Sequence, residues 1–257
     1  GPIAVVQDGD PILIDVEDGT ILAEKNAFQA VSPASMTKIL TLLAAAEQVE
    51  SLEDTAAVSQ EVSDYCFRHG CSVAGFLPGE EVRVEDLLYG TVLPSGADAA
   101  LTLAEYVSGS EEDFVGRMNE KAEELGLSAR FSGCVGLYDL GTECSVYDMA
   151  RILKAAMDND VCRRVLGSRT WEIPPAGERK EPLELSNWFI RRIEDHMPEG
   201  FTIQGAKTGF VNEAGNCAAS CAQGPDGRLY ICVTAQGSGI WSCIFDHVAL
   251  YESIGIE

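Results

Sequence analysis

Long apolar runs are missing from this sequence. The longest, Ile39 to Ala46, is interrupted by Thr41 and falls far short of the ~20 residues a membrane-crossing helix needs. Basic residues are scarce as well. Eighteen Lys and Arg stand against 41 Asp and Glu, a formal net charge of −23, and only six of the eighteen are lysines. Nucleic-acid affinity rests on neutralising phosphates, so a nucleic-acid partner is excluded and the acidity reads as a solvated surface. Metal-ligand patterns are equally thin. Cys66, His69 and Cys71 cluster, but no second Cys-x-x-Cys or His-x-x-x-His completes a zinc set. A short disulfide, or two small residues in a loop, fits that cluster better than a metal. The nine cysteines are odd in number and cannot all pair within one molecule. There is no internal repeat, no low-complexity linker and no leader-like start: Gly1-Pro2 opens onto a strand-like stretch, so any targeting segment is expected to have been removed.

What is present is a globular composition. With 257 residues and 46% hydrophobic content, the chain can bury a sizeable core as one large domain or two small ones. Ile12–Val16 and Ile21–Glu24 read as a hairpin turning at Asp18-Gly19. A helix is expected from Ser35 to about Val49. Between about Leu52 and Leu166, apolar spacing of three and four predicts helices over Val84–Leu93, Ala97–Val107, Glu111–Leu125 and Val146–Met157. Ser110 with Asp113 and Ser145 with Asp148 mark two of the starts as capping pairs. Strand patterns return at Phe201–Ile203, Asn216–Ala222 and Leu229–Ala235, the last two joined around Gly224–Gly227. A closing helix, Trp241–Ile254, is expected to bury Ile244, Phe245, Val248 and Tyr251. Strands at both ends with helices between predict an α/β (α+β) fold. Its antiparallel sheet of about five strands draws on both termini (about 1–50 and 200–257) and is flanked by helices, with a central helical region at about 52–166.

Three short motifs carry chemistry. Ser35 and Lys38, one turn apart at a helix start, point the same way, so a neutral lysine can deprotonate the serine. Roughly 0.4 such Ser-x-x-Lys spacings are expected by chance in this composition, so the pair says little alone. Ser95-Gly96-Ala97-Asp98 follows Leu93-Pro94, and Lys207-Thr208-Gly209 precedes Phe210 in a strand. Individually, Ser35 and Ser95 could be helix caps, Lys38 a surface lysine, and Lys207-Thr208-Gly209 an ordinary strand start. Together and in this order they match the Ser-x-x-Lys, Ser-x-Asn, Lys-Thr-Gly set of penicillin-binding proteins and class A β-lactamases, two in full and one in part.

On these motifs, and on ILIDVEDGTILAEKN (12–26), PASMTKILT (33–41), FVGRMNEKAEELGL (114–127), SVYDMARI (145–152) and KTGFVNEAGNCAAS (207–220), the sequence resembles serine-type D-Ala-D-Ala carboxypeptidases, the low-molecular-mass penicillin-binding proteins. The resemblance implies a transpeptidase-like (β-lactamase-like) fold forming one catalytic domain over 1–257, with the family's β-rich stalk lying beyond Glu257. It implies Ser35 as nucleophile, Lys38 as base, Ser95 as proton relay, and Lys207 and Thr208 on the substrate carboxylate. It places Gly209 and Phe210 at the binding edge, the oxyanion being held by the N–H groups of Ser35 and Phe210. It implies no cofactor and no metal. The partners it implies are peptidoglycan stem peptides ending in D-Ala-D-Ala and covalently bound β-lactam antibiotics. The setting would be bacterial and extracytoplasmic, with membrane attachment only through segments outside this chain.

Two positions depart from the family. Ala97 stands where Asn is usual; Asp98 or a water substitutes, the enzyme runs slower, or catalysis is lost. Val135 stands where His commonly precedes the Gly136-Leu137 pair, and no step above needs its side chain. The alternatives are a class A β-lactamase, faintly echoed by Glu181–Asn187, and a catalytically silent peptidoglycan or partner binder. A four-residue turn at Gly224–Gly227 would set Gln223 opposite Arg228 and Cys221 opposite Tyr230. Cys217, Cys221 and Cys232 would then be free thiols on one face.

Overall fold

The computed structural model describes residues 9–255; the strand-like stretch expected directly after Gly1-Pro2 lies outside them. The chain opens with β1 (Asp10–Asp15) and β2 (Ile21–Glu24), a hairpin whose turn has Gly19 at φ +73°. A short 3-10 turn, Ala34–Met36, leads into α1 (Thr37–Ala46). From Thr37 to Ala45, α1 is buried on every side, which makes it the axial helix of the molecule. There follow β3 (Thr55–Ala57), α2 (Gln60–Arg68), β4 (Glu81–Arg83), α3 (Val84–Val92), α4 (Ala97–Ser108), α5 (Glu111–Glu124), α6 (Val146–Met157) and α7 (Asp160–Gly167). Next come β5 (Thr170–Ile173), β6 (Leu183–Ser186) and α8 (Trp188–Ile193). The chain returns through β7 (Thr202–Val211), β8 (Gly215–Gln223) and β9 (Leu229–Gly237), then ends in α9 (Ile240–Glu252).

The main sheet has the order β2-β1-β9-β8-β7, antiparallel throughout, so both chain ends meet in it as expected. One face, with Ile12, Ile14, Cys221, Ile231 and Val233, packs on the helical region. The other, with Leu13, Ala218, Ala222, Tyr230 and Cys232, packs on α8 and α9. Both expected caps form. The Ser110 hydroxyl accepts from Asp113 N, and Ser145 and Asp148 make a full capping box. α9 is also held by polar contacts: His247 bonds Ser220 Oγ through Nδ1 (2.7 Å) and Thr234 Oγ1 through Nε2 (2.9 Å), and Ser220 meets Tyr251 OH at 2.7 Å.

Two expectations fail. Phe245 is 48% exposed, stacked on Trp241 and edge-on to His196 at the surface, while Ile244, Val248 and Tyr251 turn inward. The β8–β9 register is one residue off the expected one. Gln223 pairs with Leu229, Cys221 with Ile231, and Ser220 with Cys232. Gly227, at φ +80°, closes a turn with its N–H on Gly224 O (2.9 Å), while Gly224 N–H donates to Arg228 O (2.9 Å). The loop therefore holds three residues, a tight turn followed by a left-handed glycine, rather than four. That single-residue change puts Cys232 on the face opposite Cys217 and Cys221. All three are free thiols, as expected.

Candidate active site

Ser35 and Ser95 are not helix caps. Ser35 sits inside the 3-10 turn before α1, and the caps of α1 and α4 are Met36 and Gly96, neither with a side-chain bond. The residues that shape the two serine turns adopt left-handed backbone that non-glycine residues seldom take: Ala34 at φ +47° and Ser95 at φ +59°. The first of these turns is closely packed by two glycines. A Cβ on Gly136 would stand 2.0 Å from Ala34 O, and one on Gly209 would stand 2.9 Å from both Ser35 N and Cys217 Sγ. Gly209 is thus a glycine because β7, the edge strand of the main sheet, lies directly against the Ser35 amide.

Between the two serines lies Lys38, 3% exposed. Its Nζ donates to Ser35 Oγ (3.1 Å), Ser95 Oγ (3.2 Å) and the Val135 carbonyl (2.8 Å). Its three N–H donors therefore meet three neutral acceptors. Burial penalises the ammonium and lowers the Lys38 pKa from 10.5 to about 8. A group with that pKa, within hydrogen-bond reach of a hydroxyl, can act as a general base near neutral pH.

Lys207, in the middle of β7, is also buried and donates to Thr208 O at 2.6 Å. Burial, reinforced by repulsion from Lys38, holds its pKa well below the usual lysine range. Two cavities meet at Ser35 and Phe210. One, of about 1090 Å³, also contains Lys38, Thr37, Cys71 and Glu111 in its wall. The other, of about 830 Å³, contains Ser95, Lys207, Thr208, Gly209 and Arg192. Their charges are opposite. Among the described residues, four carboxylates, Glu111, Asp139, Glu143 and Glu213, line the first cavity, where Lys38 is the only Lys or Arg; the second has Lys207 and Arg192 and no Asp or Glu.

The structure brings together every residue singled out by the sequence: Ser35, Lys38 and Ser95 in direct contact, and Lys207, Thr208, Gly209 and Phe210 on the adjoining strand. Asp98 does not replace the missing Asn. Its carboxylate accepts from the N–H groups of Ala74 (2.8 Å), Gly75 (3.1 Å), Phe76 (3.3 Å) and Ala99 (2.9 Å), holding the 74–76 segment. The third acceptor for Lys38 is instead the backbone of Val135, a contribution invisible to a reading of side chains. Neither Glu181 nor Glu184 of the β-lactamase-like segment lines either cavity, and Asn187 caps α8 by accepting from Ile190 N. Among the described residues there is no cluster of three or more metal-ligating side chains, and no helix is long and apolar enough to cross a membrane.

Comparison with known proteins identifies the family and the fold. A family model described as peptidase S11, D-alanyl-D-alanine carboxypeptidase, matches residues 4–237. The D-alanyl-D-alanine carboxypeptidase DacF of Bacillus subtilis (strain 168) is 34% identical over 215 residues, 82% of this chain and 53% of its own length. DacC of Escherichia coli (strain K12) is 34% identical over 226 residues, 85% of this chain and 54% of its own. The D-alanyl-D-alanine carboxypeptidase of Streptomyces sp. (strain K15) is 30% identical over 79% of this chain and 72% of its own. A solved structure of a mutant Streptomyces K15 DD-transpeptidase superposes with a TM-score of 0.89 at 25% identity, covering 98% of this chain and 99% of that one. The chain spans about half the length of DacF and DacC.

Proposed function

This chain belongs to the D-alanyl-D-alanine carboxypeptidase family of serine peptidases, and from that premise we propose that it removes the terminal D-alanine from peptidoglycan stem peptides ending in D-Ala-D-Ala. The observation that carries the reading is the amine of Lys38, lowered to about 8, bridging Ser35 Oγ and Ser95 Oγ where two oppositely charged cavities meet. Neutral Lys38 takes the Ser35 proton as Oγ attacks the carbonyl carbon of the penultimate D-Ala. The oxyanion forms beside the N–H groups of Ser35 and Phe210. Ser95 passes the proton from Lys38 to the departing amine, the C–N bond breaks, and D-alanine leaves. Water then hydrolyses the Ser35 ester and the cycle closes.

Lys207 and Thr208 hold the terminal carboxylate in the cationic cavity. An incoming carboxylate favours the Lys207 ammonium, and that charge in turn keeps Lys38 neutral. The acidic cavity receives the rest of the stem peptide and suits a cationic side chain on the residue before D-Ala-D-Ala. β-Lactams, which present a carboxylate in the same place, acylate Ser35 and stay bound. Because Val135 O already satisfies Lys38, Ala97 costs only the amide contact to substrate. That is about 0.5–1.5 kcal/mol, a rate roughly 2- to 12-fold lower than with Asn. The chain acts as one transpeptidase-like catalytic domain without a cofactor, outside the cytoplasmic membrane, where its substrate lies. The test is release of D-alanine from a synthetic peptide ending in Lys-D-Ala-D-Ala, by wild type and by Ser35→Ala. Release by the wild type alone is expected; release by neither, or equally by both, refutes the proposal.

A further inference from the structure

The Cys66/Cys71 cluster plays no part in this chemistry, yet its geometry is specific. α2 ends in a Schellman turn: Gly70, at φ +60°, donates to Phe67 O (3.3 Å), and Cys71 N–H donates to Cys66 O (3.0 Å). That motif sets the side chain two residues past the cap against the one three residues before it, here Cys71 against Cys66. The two thiols are near enough that each shifts the other's ionisation. With the Cys71 N to Cys66 O distance at 3.0 Å, standard bond lengths cap the Cα separation at roughly 6.9 Å, and bent angles bring it inside the disulfide range. Of the nine cysteines, Cys71 is the one not buried, and it lines the acidic cavity beside Ser72.

We propose that Cys66 and Cys71 are a redox-active pair, oxidised to an intramolecular disulfide at the rim of the active cavity by a low-molecular-mass disulfide. The Cys71 thiolate attacks one sulfur of the oxidant and releases one thiol, leaving a mixed disulfide. The Cys66 thiolate then attacks the Cys71 sulfur and releases the second thiol. The two protons lost by the cysteines end on the two released thiols, and the two electrons reduce the oxidant. Cys71 reacts first because it is the accessible one. Burial keeps both thiols protonated at neutral pH, with Cys66 raised to about 12, so the exchange is slow, on the scale of minutes to hours. The bond would tie the end of α2 to the segment that clamps the start of α4, where Ala97 N–H donates to Ser72 O (2.8 Å) and Asp98 holds Ala74 and Gly75. It would thereby stiffen the wall that carries Ser95.

The test incubates the reduced, folded chain with oxidised glutathione at pH 8 for several hours, then alkylates it in denaturant and measures intact mass with peptide mapping. The proposal expects two of the nine thiols to escape alkylation, a Cys66–Cys71 linked peptide, no retained glutathione, and reversal by dithiothreitol. Cys66→Ala should stop at a glutathione adduct on Cys71, and Cys71→Ala should form neither product. Alkylation of all nine thiols, glutathione retained on wild-type Cys71, or a bond between any other pair would overturn it. The readout is mass rather than catalysis, so its failure leaves the carboxypeptidase reading untouched, and the reverse also holds.

Discussion

If Lys38 is the base for Ser35, acylation must follow the neutral fraction of that one amine. Its surroundings are Ser35 Oγ, Ser95 Oγ and Val135 O, with no carboxylate in contact, and burial brings its pKa from 10.5 to about 8. At pH 7 about one molecule in eleven then carries neutral Lys38, against roughly one in 3000 for an unperturbed lysine. Burial is therefore worth a few hundredfold in active enzyme at neutral pH, or roughly 3 kcal/mol. The second-order acylation constant for benzylpenicillin, measured by stopped-flow mixing or rapid-quench mass spectrometry between pH 5.5 and 9.5, should rise about tenfold per pH unit up to pH 7. It should bend near pH 8 and level off above. A constant that is flat from pH 6 to 9, or still climbing tenfold per unit at pH 9.5, would refute the assignment of Lys38 as a base tuned by burial.

Other perturbations read separate parts of the account. Lys207→Ala should weaken both penicillin acylation and D-Ala-D-Ala hydrolysis tenfold or more, because both ligands present a carboxylate there; unchanged kcat/KM for either would make Lys207 structural only. Gly209→Ala should abolish acylation and lower Tm, since the new methyl would stand 2.9 Å from Ser35 N and Cys217 Sγ; full activity would mean β7 does not press on the nucleophile. His247, buried with both ring nitrogens bonded, has its pKa lowered from 6.5 to about 3 by burial. The unfolded chain thus binds the extra proton between those values. The stability due to neutral His247 is complete above about pH 6.5 and falls as pH drops toward 3, by at most roughly 5 kcal/mol. Urea unfolding of wild type and His247→Gln across that range should show the steeper pH slope in the wild type, and equal slopes would contradict the linkage.

The sequence made the frame legible where its patterns were long. Strand-length apolar runs bounded by turn residues in β1, β8 and β9 and the capping serines Ser110 and Ser145 located their elements, and strands at both ends implied their meeting. It was silent where elements are short. β3, β4, β5 and β6 run three or four residues, too few for a period to show. The β8–β9 register turned on one backbone angle, at Gly227, which adds no side chain to the pattern. Phe245 has helical spacing, but the surface pocket of Trp241 and His196 competes with the core for it. In the site, side chains named themselves through Ser35, Lys38, Ser95 and Lys207. Backbone could not, because the Val135 carbonyl that completes the Lys38 shell would be the same for any residue at that position.

Intact-mass spectrometry after a brief exposure to benzylpenicillin bears most directly on the central claim that Ser35 is the nucleophile of a penicillin-binding peptidase. Wild type should gain the mass of one penicillin and keep it through the first minutes, and folded Ser35→Ala should gain none. An unlabelled wild type, or an adduct that persists in Ser35→Ala, would contradict the account.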